Sequence, residues 1–279
     1  MTAQLPATEI VLALTLALTA WAVVLAVRQA RARGPRLLKD TGRHYRRCYE
    51  RRSFLKLGGA LLLAGVLAHT GADEAVDAAH SRRVRGAVSD RLAAWLKPFG
   101  ERLWFLTWGL LAAVDAGHGS SRLTRWGRRN WEAMLTGLPL LWVLQYGLGA
   151  ARPTDAANTR GARWNAPLRD DNSAAGHAFM AAVPWLTAAR ATRRALPRAA
   201  AYAGSLLTGW SRLNDRKHYL SQVWLGWFAA WTAVVAVTGA DAPPPAAAST
   251  AGAGASGGGG EQAAVSEPTS SDPPPCRRW

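Results

Sequence analysis

Cysteine is nearly missing from these 279 residues: Cys48 falls in a basic stretch and Cys276 in the last residues of the chain, so no disulfide framework staples a core. No Cys/His grouping has zinc-like spacing, and neither a glycine-rich phosphate loop nor a dinucleotide fingerprint occurs. No metal and no cofactor is therefore expected. Acidic residues are scarce too, 18 against 34 Lys and Arg, for a formal net charge of +16. That imbalance excludes an ordinary soluble enzyme. Nucleic acid is not the expected partner either, because such a binder spreads its cations over amphipathic or aromatic-rich surfaces. Here they come in blocks.

Eleven Lys and Arg fall between Arg28 and Lys56, and smaller clusters recur at Arg122, Arg125, Arg128 and Arg129 and at Arg190, Arg193, Arg194 and Arg198. Apolar stretches separate them, in a chain that is 49% hydrophobic. The first, Glu9 to Val27, has no interior charge and is long enough, at about 1.5 Å per helical residue, to cross a hydrocarbon layer of roughly 30 Å. Glu9 before it and arginines after it argue for an uncleaved anchor with its N-terminus outside. Arg51-Arg52-Ser53-Phe54-Leu55-Lys56 resembles a twin-arginine export signal, but the preceding span and the later ones make it a cytoplasmic flank of the span Leu57 to His69.

Further spans are expected at Leu103 to Ala116, Ala133 to Ala150, Gly176 to Ala189, Ala199 to Trp210 and Tyr219 to Thr238, with tryptophans such as Trp104, Trp142, Trp185 and Trp210 as an interfacial belt. Counting each as one crossing puts all three basic clusters on one side, as the positive-inside rule requires. The loops Gly71 to Arg102 and Ala151 to Ala175 and the corner Ser211 to His218 then face outward. The expected organisation is an anchor (1–27), a basic cytoplasmic loop (28–56), a membrane domain (57–238) and a Gly/Pro/Ala/Ser-rich disordered tail (239–279).

Three short motifs fall at the outer ends of successive expected helices: Arg152-Pro153, Gly176-His177, and Ser211-Arg212 with His218 six residues later. Two guanidinium forks suit the oxygens of a phosphate dianion. The N–H groups of a helix starting at Gly176 add positive potential, and glycine permits close approach. One neutral histidine can attack phosphorus while a protonated one gives its proton to the leaving alcohol.

This arrangement resembles the type 2 phosphatidic acid phosphatase (lipid phosphate phosphatase) superfamily, whose pattern is Lys-x6-Arg-Pro, Pro-Ser-Gly-His and Ser-Arg-x5-His-x3-Asp. The likeness covers roughly Glu132 to Val237, and here the motifs read Gln145 through Arg152-Pro153, Ala174-Ala175-Gly176-His177, and Ser211-Arg212 through His218 to Gln222. The resemblance implies an all-α polytopic membrane protein: a six-helix phosphatase-like transmembrane core, with the Glu9–Val27 span as an extra N-terminal helix. It implies His218 as nucleophile through a phosphohistidine and His177 as acid. Arg152 and Arg212 form the phosphate clamp, with Gly176, Ser211 and Gln145 lining it, and no metal takes part. The substrate it implies is a lipid phosphate monoester or pyrophosphate in the bilayer, met at the outer face of a bacterial inner (plasma) membrane.

Three positions depart from the pattern. Gln145 stands for the lysine, Ala175 for the serine, and Gln222 for the aspartate that orients the nucleophile. Gln222 can still accept a bond from His218 one turn away without contributing charge. Arg216 and Lys217 are candidate replacements for the missing cation, and Asp170, Asp171 or Asp215 for the orienting carboxylate. Two further readings stay open: a degenerate relative that binds lipid phosphate without turnover, and a function carried by the basic loop gripping anionic lipids or a cytoplasmic partner.

Overall fold

The computed structural model describes residues 40–118, 121–155, 161–164, 167–168 and 170–239, with Ala17 and Trp21 as isolated helical positions. Apart from those two, the expected anchor and the start of the basic loop lie outside the described residues, as does the tail beyond Gly239. The helices are α1 (Thr41–Cys48), α2 (Arg51–His69), α3 (Ala72–Arg83) and α4 (Ala87–Leu96), then a 3-10 turn (Lys97–Gly100). They continue with α5 (Leu103–His118), α6 (Arg122–Leu148), α7 (Gly176–Ala191), α8 (Ala195–Asn214) and α9 (Leu220–Thr238). Among the described residues there is no strand, and the fold is all-α. α2 and α9 are long and apolar enough to cross a membrane, whereas α5 is apolar over Leu103–Gly117 but shorter.

α9 is the central element, packed on α2, α6, α7 and α8. Its Leu225 and Val234 are buried with Met134 of α6 and Phe179, Val183 and Leu186 of α7. Contacts fix which helix ends lie together. Near the end of α9, Lys56 stands over Trp231, Arg190 bonds Thr238, and Trp126 bonds Thr187 at 2.9 Å. Near its start, Tyr219 packs with Ala68 and Ala162, and Gln145 reaches the Ala174 carbonyl at 2.9 Å. The basic clusters of α1–α2, α6 and α7–α8 therefore share one end, and the three motifs share the other.

The expected basic loop is partly helical, for a specific reason. Pro139 lies inside α6 and has no N–H to give the Leu135 carbonyl one turn back. The Tyr45 hydroxyl donates to that carbonyl instead, at 2.8 Å. The Tyr49 hydroxyl donates to the next one, Thr136, at 2.9 Å, and accepts from the Leu140 N–H at 3.2 Å. Two tyrosines four residues apart thus repair the break, and α1 clips onto the bend. Cys48, expected in a loop, is buried at the end of that helix, and burial pushes its thiol up to about 12.

The region from Gly71 to Arg102, expected as a loop, forms α3, α4 and the 3-10 turn. In α3, Asp73 and Glu74 occupy the first turn and His80, Arg82 and Arg83 the last, which suits the helix dipole at both ends. It carries too few apolar residues to read as a span. α6 starts at Arg122 rather than Ala133 because Ser121 and Thr124 form a reciprocal capping box, Ser121 Oγ accepting from the Thr124 N–H at 3.0 Å and Thr124 Oγ1 from the Ser121 N–H at 2.9 Å. α2 and α8 likewise extend beyond the expected spans, to Arg51 and to Ala195–Asn214. Ser211 and Arg212 thus end a helix instead of starting a corner.

Candidate active site

His218 sits two residues before α9, and its ring Nδ1 lies 3.0 Å from Gln222 Oε1. That oxygen is identified by its other bonds. It accepts from the Tyr219 N–H at 3.1 Å as the N3 member of a capping box, while Gln222 Nε2 donates to the Ala151 carbonyl at 2.8 Å. With the amide so oriented, Nδ1 must donate, and in the neutral ring Nε2 carries a free lone pair. Gln222 is fully buried. It therefore does the orienting work expected of an aspartate but brings no charge.

The backbone that delivers His218 is a helix stop. Lys217 N–H bonds the Arg212 carbonyl and Arg216 N–H that of Leu213, both at 2.9 Å, a Schellman arrangement whose left-handed residue is Arg216 at φ 53°. Glycine is the usual residue there, and a side chain in that conformation costs about 1–2 kcal/mol. Asp77 of α3 clamps the Arg216 guanidinium at 2.7 and 3.1 Å. Arg216 is thus held by Asp77 and does not replace the missing cation. Asp73, fully buried on the same helix, accepts from the Ser221 N–H at 3.0 Å and from its hydroxyl, capping α9 from 148 residues away. Burial pushes the Asp73 carboxyl up although these bonds draw it down.

Arg212 is buried at the end of α8 and pairs with Asp215. Asp215 thus serves the clamp and not the imidazole. Arg212 Nε is buried without a hydrogen-bond partner among the described residues. Burying a guanidinium donor without an acceptor costs about 1–3 kcal/mol, so an anion that accepts from it is stabilised by that amount. Arg152, more exposed, donates to Asn172 Oδ1 at 2.7 Å. His177, the second residue of α7, points Nε2 at Glu101 Oε1 at 3.4 Å. These groups form one cluster: the charges of Arg152, His177 and Arg212 all act on His218, and with burial as the main cause they hold its imidazole well below the usual histidine range.

Glycines allow the close approach. A Cβ at Gly226 of α9 would lie 2.3 Å from the Ala175 carbonyl, and one at Gly100 would lie 2.7 Å from the His177 carbonyl. α7 therefore begins pressed between α9 and the 3-10 turn, with the Ala175 N–H on the Gln222 carbonyl at 2.8 Å. Gly176 opens the helix beside Gln145, and its first N–H groups have no intrahelical acceptor. Gln145 ties α6 to the Ala174 carbonyl. Ser211 is buried with its hydroxyl turned back on the Thr208 carbonyl at 2.7 Å, so it completes α8 rather than offering a donor. Asp170 is half-buried and Asp171 exposed, with no bond to His218. Sequence reasoning missed Asp73, Asp77, Glu101 and Asn172. Of these, Asp73 carried a signal, in its placement in the first turn of α3.

Two arginines, two imidazoles and a helix N-terminus thus converge where the ends of α6, α7, α8 and α9 meet. Residues 132–241 match the family model described as the PAP2 superfamily. No curated protein and no solved structure matches the chain.

Proposed function

We propose that residues 132–241, which match the PAP2 superfamily model, hydrolyse a phosphate monoester or pyrophosphate of a membrane lipid through a phosphohistidine at His218. The observation that carries this reading is the 3.0 Å bond between His218 Nδ1 and Gln222 Oε1, which assigns the ring proton to Nδ1 and leaves Nε2 with the lone pair of a nucleophile, in a cluster where Arg212 Nε is buried without a described partner. The phosphoryl oxygens rest on Arg212, Arg152 and the N–H groups at Gly176, where charge is stabilised as the transition state develops. Nε2 of His218 attacks phosphorus, the bond to the leaving oxygen breaks, and protonated His177 gives that oxygen its proton. Neutral His177 then takes a proton from water, whose oxygen attacks phosphorus and breaks the P–N bond, releasing phosphate and restoring both rings. The arginines supply the positive charge that the transferring phosphoryl group requires.

In the proposed arrangement α2 and α5 to α9 cross the membrane, and the site faces outside the inner or plasma membrane. Positive charge gathered at the helix ends remote from His218 supports that orientation. A lipid substrate is supported by an apolar groove of about 240 Å³ lined by Phe99, Trp104, Trp108, Trp126, Pro184 and Trp185. It runs beside α7, and Phe99 adjoins the Gly100 that touches His177.

A second reading, binding without turnover, is favoured by one observation: Gln222 brings no charge to stabilise the histidinium that forms during attack. The two are separated by phosphate release from a panel of lipid mono- and diphosphates in the presence of a chelator, with His218→Ala alongside. Release that the variant abolishes supports the phosphatase. Saturable lipid-phosphate binding by folded protein with no release supports the other reading.

A further inference from the structure

At the end of α9 remote from His218, a cavity of about 280 Å³ opens among α1, α2 and α9. Arg47, Glu50, Ser53 and Lys56 line one side, and Trp231, Val235 and Ala236 the other. The polar side is preorganised. Ser53 Oγ donates to the Arg47 carbonyl at 3.1 Å, tying the start of α2 to α1, and the Lys56 ammonium stands 5.3 Å from the centre of the Trp231 ring. Among the described residues neither Arg47 nor Lys56 forms a salt bridge, although Arg43, Arg128, Arg212 and Arg216 each do. Two cations outside any salt bridge, with Glu50 beside them in the lining, therefore flank a cavity whose far wall is apolar.

From this we infer that the cavity binds the phosphodiester head group of a singly charged anionic phospholipid, separate from the site at His218 and without turnover. The inference rests on the membrane reading above but not on catalysis. Arg47 and Lys56 supply charge-assisted donors for phosphate oxygens. Glu50 opposes a second negative charge, which favours a phosphodiester over a monoester or free phosphate dianion. Trp231, Val235 and Ala236 seat the first carbons of the chain, and α2 continues outward with exposed Phe54, Leu55 and Leu62. The volume lies below the roughly 300 Å³ of a typical small-molecule pocket, so it takes a head group and not a whole lipid. No histidine or cysteine lines it, and the hydroxyls of Ser53 and Thr232 are turned onto the Arg47 and Phe228 carbonyls. The basic stretch that the catalytic reading leaves unused thereby acquires a ligand, held against the helix that braces Pro139.

The test uses the full-length protein, delipidated in detergent and titrated with phosphatidylglycerol, phosphatidylcholine or inorganic phosphate, with bound ligand read by native mass spectrometry. Phosphatidylglycerol is retained by the wild type and by His218→Ala alike. Combined Arg47→Ala and Lys56→Ala weakens its binding about tenfold or more with an unchanged melting temperature, because each cation contributes to holding an anionic lipid. Glu50→Gln tightens it. Undiminished retention in the double variant overturns the inference, as does inorganic phosphate or phosphatidylcholine binding as well as phosphatidylglycerol. Activity lost in His218→Ala with lipid retention intact separates this site from the catalytic one, and absent catalysis leaves the inference standing on the retention data alone.

Discussion

Two clusters of charged side chains are built into this helix assembly, and they are balanced in opposite ways. Between α5 and α6, Arg128 reaches Asp115 at 2.8 Å and Glu132 at 3.0 Å, and Thr124 donates to the other Asp115 oxygen at 2.8 Å. One cation there serves two carboxylates. At the start of α9, Arg212 and Arg152 stand with two imidazoles, Asp215 answers Arg212, and a buried guanidinium N–H remains open. The first network joins neighbouring helices and is closed. The second has donors to spare, which is what a site for an anion requires, and it draws its members from the loop after α6, from α7 and α8, and from the turn before α9.

The comparison is broken most severely at His218. His218→Ala is expected to lower phosphate release about a thousandfold or more, since the nucleophile itself is removed, while the melting temperature stays near wild type. Arg212→Ala is expected to cost roughly 100- to 1,000-fold in kcat, as for loss of one transition-state donor. Arg128→Ala should show the reverse pattern, losing about 2 kcal/mol of stability after allowance for its partial exposure while the folded fraction keeps its turnover. Equal effects of the two arginine variants on turnover would erase the distinction. Asp73→Ala, which strips the cap from α9, should cost about 1–3 kcal/mol in chemical denaturation, because the Ser221 N–H loses its acceptor.

The smallest effect sharpens the electrostatics. Burial and the charges of Arg152, His177 and Arg212 hold His218 below its ordinary value of 6.5. The unfolded chain takes up a proton near that pH and the folded ring only at lower pH. The contribution of His218 to stability is therefore complete above pH 6.5 and is lost progressively as the pH falls below it. The acid limb of kcat/KM belonging to the nucleophile should likewise lie below 6.5. Gln222→Asp adds the missing charge and should move that limb upward, raising turnover about tenfold at neutral pH. An unmoved limb would mean that Gln222 does not set the state of His218.

Much of the fold was legible because membrane-length apolar runs and blocks of arginine are strong, local signals. α7 and α9 begin within a residue or two of expectation, and the three motifs meet at one end of the bundle. The segment from Gly71 to Arg102 was read as a loop because α3 carries too few apolar residues for a span, and its function lies in reaching Ser221 and Arg216 far away in sequence. Nor could the chain announce that Tyr45 and Tyr49 answer Pro139, a pairing across about 90 residues. At the site, residue types were readable and their partners were not: Arg216 goes to Asp77, Asp215 to Arg212, and Gln222 to three groups at once. Hydrogen-bond bookkeeping needs three dimensions.

The most direct test of a nucleophile at His218 is the stereochemical course at phosphorus, measured with a lipid thiophosphate made chiral by two oxygen isotopes and hydrolysed in water carrying the third. Attack by Nε2 followed by attack of water is two in-line displacements, so the account predicts net retention. Net inversion would show water attacking phosphorus directly, and the role derived for His218 would be wrong.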